Sequence, residues 1–193
     1  MKRVLLIGDS IRQGYQAAVA EALANAAEVV GPADNGGDSA NVLKHLAEWV
    51  AQASPDVIHL NAGLHDIKRA YESVKRQVPI EQYRSNVEAI LKRLRGEGHA
   101  RVVWATMTPV NEKWHHEVKG FDRFEADVAA YNRAAVDVAT RLGVPIDDLY
   151  DIVLEGGRDD LLSGDGVHFT VEGYRVLGRA VADCIRRLFL ASR

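Results

Sequence analysis

Ser10, Asp165 and His168 are the side chains of this 193-residue sequence whose types and setting could carry acyl-transfer chemistry. Ser10 follows Val4-Leu5-Leu6-Ile7-Gly8-Asp9. The four apolar residues read as a strand buried on both faces of a parallel sheet, and the glycine ends it. A serine so placed sits at the carboxyl end of a strand, where open α/β sheets keep their ligand sites. The helix expected from about Arg12 offers free N–H groups and a dipole that favour developing negative charge. On this stretch alone Ser10 is as readily a helix cap, as is Asp9. Asp165 and His168 lie in Gly164-Asp165-Gly166-Val167-His168-Phe169, where a spacing of three in a tight turn can set carboxylate beside imidazole. Together they are the parts of an acyl-transfer site: Ser10 the nucleophile, His168 its general base, Asp165 the group that orients the imidazole. The Gly-x-Ser-x-Gly elbow of lipase-type enzymes is absent.

These residues need elements to hold them. Ala17–Ala24 is alanine-rich and helical, Glu28–Val30 is a short second strand stopped by Gly31-Pro32, and Val42, Leu43, Leu46, Trp49 and Val50 mark a helix. Strand three is Val57–Leu60, ending in Asn61-Ala62-Gly63-Leu64-His65-Asp66. The polar segment from Ile67 to Pro79 reads as a loop with a broken helix. Ile80 to Leu94 repeats at helical spacing, closed by Gly96 and Gly98, and Val102–Ala105 is strand four. An irregular loop carries Trp114, His115 and His116. A long amphipathic helix from Phe121 to Leu142 ends at Gly143, and a short fifth strand lies near Val144–Ile146. Leu149 to Ser163 reads mostly as loop, and a last helix carries Tyr174, Leu177, Val181, Cys184, Ile185 and Leu188 on one face. Strands alternating with helices predict a parallel sheet covered on both sides, in a single domain over residues 1–193.

In this order the blocks resemble the SGNH hydrolases, the GDSL esterases and lipases, over nearly the whole chain. Gly8-Asp9-Ser10 is similar to the family's first block, which supplies the serine. Gly37 in Asn35-Gly36-Gly37-Asp38-Ser39 resembles the second-block glycine, whose N–H helps form an oxyanion hole with the Ser10 N–H. Asp165-Gly166-Val167-His168 resembles the Asp-x-x-His block. Gly63-Leu64-His65-Asp66 matches Gly-x-Asn-Asp, except that His65 stands where the family has the asparagine that donates to the oxyanion. An imidazole also carries an N–H, so the resemblance implies His65 as a replacement donor. It further implies a flavodoxin-like three-layer α/β/α sandwich with about five parallel strands, and metal-free, cofactor-free hydrolysis of esters.

The remaining residues have structural readings beside functional ones. Arg12 and Tyr15 open the first helix beside Ser10 and are candidate substrate contacts; Arg12 either binds substrate or makes a surface ion pair. Trp114 contacts substrate if its loop folds over the site. His115 and His116 are neighbours that face different ways, a poor chelating pair better placed in a solvated loop. Asp9 and Asp66 are expected to bond loop backbone, His59 to be a satisfied core histidine, and Cys184 to be inert core. A net charge of −3 gives no basic excess, so nucleic acid is not an expected partner. No apolar run is long enough to span a bilayer. As written the chain reads as cytoplasmic, although a trimmed secreted precursor fits too, and its composition says nothing of oligomeric state. The expectation is therefore a serine esterase of short acyl, for instance acetyl, esters, on carbohydrates or other small molecules. The rival readings are an O-acyltransferase of the same chemistry and a non-catalytic binding module on the same scaffold.

Overall fold

Strand β1 (Lys2–Ile7) lies inside the sheet, and its Val4 to Ile7 side chains are all buried, as a strand covered on both faces requires. In the computed structural model, which describes residues 1–96 and 100–190, it is flanked by β2 (Ala27–Val30) and β3 (Val57–Leu60). With β4 (Arg101–Ala105) and β5 (Ile146–Asp147) these form one parallel sheet in the order β2-β1-β3-β4-β5. The chain moves outward one way from β1 to β2, then returns past β1 to β3. This reversal puts the carboxyl end of β1 at the topological switch point, where a crevice opens between the loops.

Among the described residues eight helices cover the sheet: α1 (Ser10–Leu23), α2 (Ser39–Ala53), α3 (Ile80–Gly96), α4 (Glu112–Val118), α5 (Glu125–Arg141), α6 (Leu149–Glu155), α7 (Arg158–Leu161) and α8 (Val171–Ile185). Helix α8 continues into a π-helical turn, Arg186–Leu190. Helices α1 and α8 pack on each other, whereas α3 packs on both α2 and α5. The stripes are those of amphipathic helices: Val42, Leu46, Trp49 and Ala53 are the buried apolar face of α2, and Leu177, Val181, Cys184 and Ile185 belong to that of α8. The result is a three-layer α/β/α sandwich, the architecture expected from the sequence.

The differences lie in the short helices. The segment around Trp114–His116 is helix α4 rather than an irregular loop, and 149–161 holds α6 and α7 rather than mostly loop. Each of α4 and α6 has a side-chain cap: Asn111 accepts from the Trp114 N–H at 3.2 Å and Asp148 from the Asp151 N–H at 3.3 Å. Two turns are too few for a periodic apolar stripe, so only the caps could have signalled them. Helix α1 begins at Ser10, because Asp9 caps it by accepting the Ile11 N–H at 2.9 Å. Helix α5 starts after Phe121 and Phe124, whose rings instead stack against cations from the 65–79 loop. That loop contains no helix. The fifth strand is Ile146–Asp147, starting at the last residue of the expected span. The glycine expected to close α3, Gly98, lies outside the described residues.

Candidate active site

Ser10 occupies the first turn of α1, directly after the Asp9 cap. Its backbone N–H therefore has no partner within the helix and faces the positive end of the dipole. The Ser10 hydroxyl lies 2.9 Å from His168 Nε2, and His168 Nδ1 lies 2.6 Å from Asp165 Oδ2. Ser10, 158 positions from His168 in sequence, thus joins it and Asp165 in one continuous relay of hydrogen bonds.

The turn holding the acid is tightly built. Asp165 Oδ1 accepts the His168 N–H at 2.9 Å, the Val167 N–H at 3.1 Å and the Ser163 hydroxyl at 3.0 Å. Lys119, just past α4, places its Nζ 2.9 Å from Asp165 Oδ2. Burial alone would raise the Asp165 carboxyl. The bonds from His168, Lys119 and the turn outweigh it and hold the group well below the ordinary carboxylate range. Asp165 is thus an anion whenever His168 needs one beside it. Helix α4 supports the turn from outside: the Asn111 N–H donates to the Gly166 carbonyl at 2.8 Å, and His115 Nδ1 lies 3.4 Å from the Asp165 carbonyl. Gly166 has φ +70°, and a Cβ there would fall 2.4 Å from the Asn111 carbonyl oxygen. Only glycine suits that position.

Opposite the relay, the loop after β2 comes against the loop after β1. The Gly36 N–H donates to the Gly8 carbonyl at 3.0 Å, and a Cβ on Gly36 would lie 2.7 Å from that oxygen. Arg12 and Tyr15 do not present themselves to a ligand. Arg12 is 2% exposed, with Nη1 bonded to Gln16 and Nη2 to the carbonyls of Pro32 (2.9 Å) and Asp34 (3.1 Å). It fastens the second loop to α1, and neither a substrate contact nor a surface ion pair describes it. Tyr15 is wholly buried, edge-on to His59, so its expected place at the substrate is likewise corrected.

The Gly37 N–H is engaged: it donates to Asn35 Oδ1 at 2.8 Å, in an exposed turn. His65 is half-buried and its side chain makes no hydrogen bond among the described residues. Burial pushes its imidazole down to about 4, opposed by the attraction of Asp9 and reinforced by Lys68 and Arg123. It is therefore neutral near pH 7, with a single N–H to give. Trp114, partly buried in α4, lies against Gly166 rather than in a solvated loop. His115 is fully buried against Phe121, and His116 pairs with Asp122 at 2.7 Å. Asp66 accepts the Ser39 N–H and hydroxyl, holding the start of α2 as the structural reading expects. His59 Nε2 meets Asp147 at 2.9 Å while its Nδ1 has no partner, so it is a core histidine only half satisfied. Cys184 is buried, and burial pushes its thiol up to about 12.

Lys119, Ser163 and Arg123 were not singled out by sequence. Ser163 had a signal, a small polar residue in the turn before Asp165. Lys119 and Arg123 had none, because isolated basic residues far from the motif are indistinguishable from solvated charge. Among the described residues no three His, Cys, Asp or Glu side chains gather so as to hold a metal ion, and no helix is long and apolar enough to cross a membrane.

A flavodoxin-like sheet with a serine–histidine–carboxylate relay at its switch point defines the class as an α/β acylhydrolase. Residues 6–176 match the GDSL-like Lipase/Acylhydrolase family, and the chain belongs to that family as an esterase. It is 28% identical over 189 residues to the bovine (Bos taurus) isoamyl acetate-hydrolyzing esterase 1 homolog, covering 89% of this chain and 76% of that one. The human (Homo sapiens) homolog is 24% identical over 192 residues, with 91% and 77% covered. Among solved structures, a lipase/acylhydrolase from Enterococcus faecalis superposes with a TM-score of 0.81 at 24% identity over the full length of both chains. The acetyl xylan esterase AlAXEase superposes with a TM-score of 0.75 at 19% identity, over 95% of this chain and 99% of that one.

Proposed function

We propose that the protein hydrolyses short-chain acyl esters, acetyl esters first among them, through an acyl-enzyme on Ser10. The observation that carries this reading is the 2.9 Å approach of Ser10 Oγ to a histidine whose other nitrogen is held at 2.6 Å by Asp165. His168 Nε2 takes the hydroxyl proton as Ser10 attacks the ester carbonyl, and the nearby Asp165 anion stabilises the imidazolium so formed. The tetrahedral oxyanion lies toward the N-terminus of α1, where the Ser10 N–H and the His65 N–H are its donors. The Gly37 N–H joins them when the exposed Asn35 side chain releases it. Collapse breaks the C–O bond, His168 returns the proton to the departing alcohol, and water repeats the sequence to free the acid.

The acetyl preference is supported by the names of the relatives, isoamyl acetate-hydrolyzing and acetyl xylan esterases. A carbohydrate as the alcohol part follows from the second name alone. The deciding experiment is treatment with a fluorophosphonate followed by mass spectrometry. One adduct on Ser10, absent from Ser10→Ala, is expected. Ester turnover by Ser10→Ala at the parent rate would refute the serine mechanism. His168→Ala should be as severe as Ser10→Ala, and Asp165→Ala less so, because nucleophile and base act as a unit.

A further inference from the structure

Arg123 is 5% exposed, yet no carboxylate neutralises it by direct contact. Its Nε–H donates to the carbonyl of Leu64, the residue before His65, at 2.5 Å. Its guanidinium carbon lies 5.0 Å from the centre of the Phe121 ring, and Lys68 Nζ lies 4.9 Å from the same ring. Neither cation makes an ion pair among the described residues. By contrast, Arg69 and Arg76 share Asp127, Lys119 holds Asp165, and Arg158 pairs with Asp159. The enclosed polar atoms without partners are Arg12 Nε, Tyr15 Oη, His59 Nδ1, Asn61 Oδ1, Thr108 Oγ1 and His115 Nε2. The two Nη atoms of Arg123 are not among them, although they make no hydrogen bond, so the end of the guanidinium opens to solvent.

The two cations border the Ser10 site: Arg123 holds the Leu64 carbonyl next to His65, and the Phe121 ring they share is edge-on to His115, whose Nδ1 lies 3.4 Å from the Asp165 carbonyl. Arg123 feels Asp9, beside Ser10, and Asp165, and burial pushes its guanidinium down to about 10 against their attraction. Burial and the repulsion of Arg123 also lower Lys68. Both cations act on His65. Withdrawing a cation from water without a partner is costly, and a ligand anion would recover that cost. A guanidinium with both Nη groups free matches an oxyanion's two oxygens.

We propose that Arg123 and Lys68 form a subsite for an anionic group, a carboxylate or a comparable oxyanion, carried by the ester that Ser10 attacks. This rests on the esterase reading and adds the substrate's charge to it. The carboxylate can belong to the acyl part or to the alcohol part, and the substrates separate the two. 4-Nitrophenyl hydrogen succinate and its methyl ester differ only by a charge on the acyl side; 4-acetoxybenzoate and its methyl ester differ only by a charge on the alcohol side. After division by the rate in hydroxide, kcat/KM should favour the acid over its methyl ester in one pair by about tenfold, the worth of one charge-assisted hydrogen bond. Lys68→Met should remove most of that ratio, and Lys68→Arg should keep it. Equal ratios in both pairs, or a ratio that survives Lys68→Met, would overturn the proposal. Calorimetry with the amide counterparts, N-phenylsuccinamate and 4-acetamidobenzoate, reads the subsite without turnover. One should bind about tenfold tighter than its methyl ester, and binding of neither overturns the subsite. Binding without any ester turnover or Ser10 labelling would instead overturn the esterase reading and leave the subsite standing.

Discussion

His65 stands where the resembling block has asparagine, and burial leaves its ring neutral with one N–H. With His65 as the proposed oxyanion donor, His65→Ala should lower kcat about 100-fold with little change in KM, as for other single oxyanion donors. His65→Asn should retain more activity than Ala, because an amide N–H restores a donor. An Ala variant with unchanged kcat would remove His65 from the mechanism. Lys119 acts one step further out. Its ammonium, 2.9 Å from Asp165 Oδ2, competes with the imidazolium for the same oxygen. In Lys119→Met that oxygen is left to His168 alone, so the imidazolium formed in the transition state is better stabilised and kcat should rise about threefold, while Lys119→Arg leaves it in place. Unchanged kcat in Lys119→Met would show that its ammonium does not weaken the Asp165–His168 bond.

At the scale of elements, the site is held by loops that clasp one another across the sheet edge. The residues after α4 are tied to the 65–79 loop by paired Arg69–Asp122 backbone bonds (3.0 and 2.8 Å), and the His116–Asp122 pair ties them back to α4. Tyr71 adds a bond to the Lys119 carbonyl. On its other side α4 abuts the Asp165–His168 turn through Gly166. Gly166→Ala would force a left-handed residue and a Cβ against Asn111 at once. About 2 kcal/mol of lost stability is expected from urea denaturation, with a larger fractional loss of kcat because the acid turn shifts. The loop after β2 behaves differently. Asn35 is exposed, and among the described residues its side chain bonds the Gly37 N–H alone. Asn35→Ala should leave stability nearly unchanged and hold or raise kcat, up to about fivefold, by freeing a donor worth about 1 kcal/mol. A marked fall in kcat would mean that Asn35 itself assists the reaction.

Across the whole molecule, Asp66 joins three separate regions. It follows β3, accepts from Ser39 at the start of α2, and reaches α3 through Asn86, whose amide donates to the Ser39 hydroxyl at 2.8 Å. Burial pushes its carboxyl from an ordinary 3.8 up to about 7, the Ser39 bonds only partly opposing the rise. A raised carboxyl binds a proton more tightly folded than unfolded. Its contribution to stability is therefore complete below about pH 4 and is lost as pH rises through about 7. Asp165 runs the other way: its carboxyl is held low, so its contribution exists above about pH 4 and disappears in acid. The unfolding free energy should thus fall between pH 5 and pH 8 by about 2 kcal/mol more in the parent than in Asp66→Asn. Identical pH dependence in the two proteins would show that Asp66 stays ionised throughout.

The sequence by itself determined the strand–helix alternation, the three-layer architecture and the placing of Ser10 and the Asp165–His168 turn in motif blocks. These depend on local rules: a buried apolar strand, a glycine break, a cap, a turn of three residues. It could not see α4, α6 or α7, whose few turns carry no periodic stripe. Nor could it see that Arg12 and Tyr15 point inward, since a position in the first turns of a helix does not say which way the neighbouring loop folds. The contact of Ser10 with His168, the grip of Lys119 on Asp165, the closing of the Gly37 N–H by Asn35 and the uncovered end of Arg123 were decided only in the tertiary structure. Each depends on side chains brought together by crossovers between strands, and no local spacing encodes such a meeting.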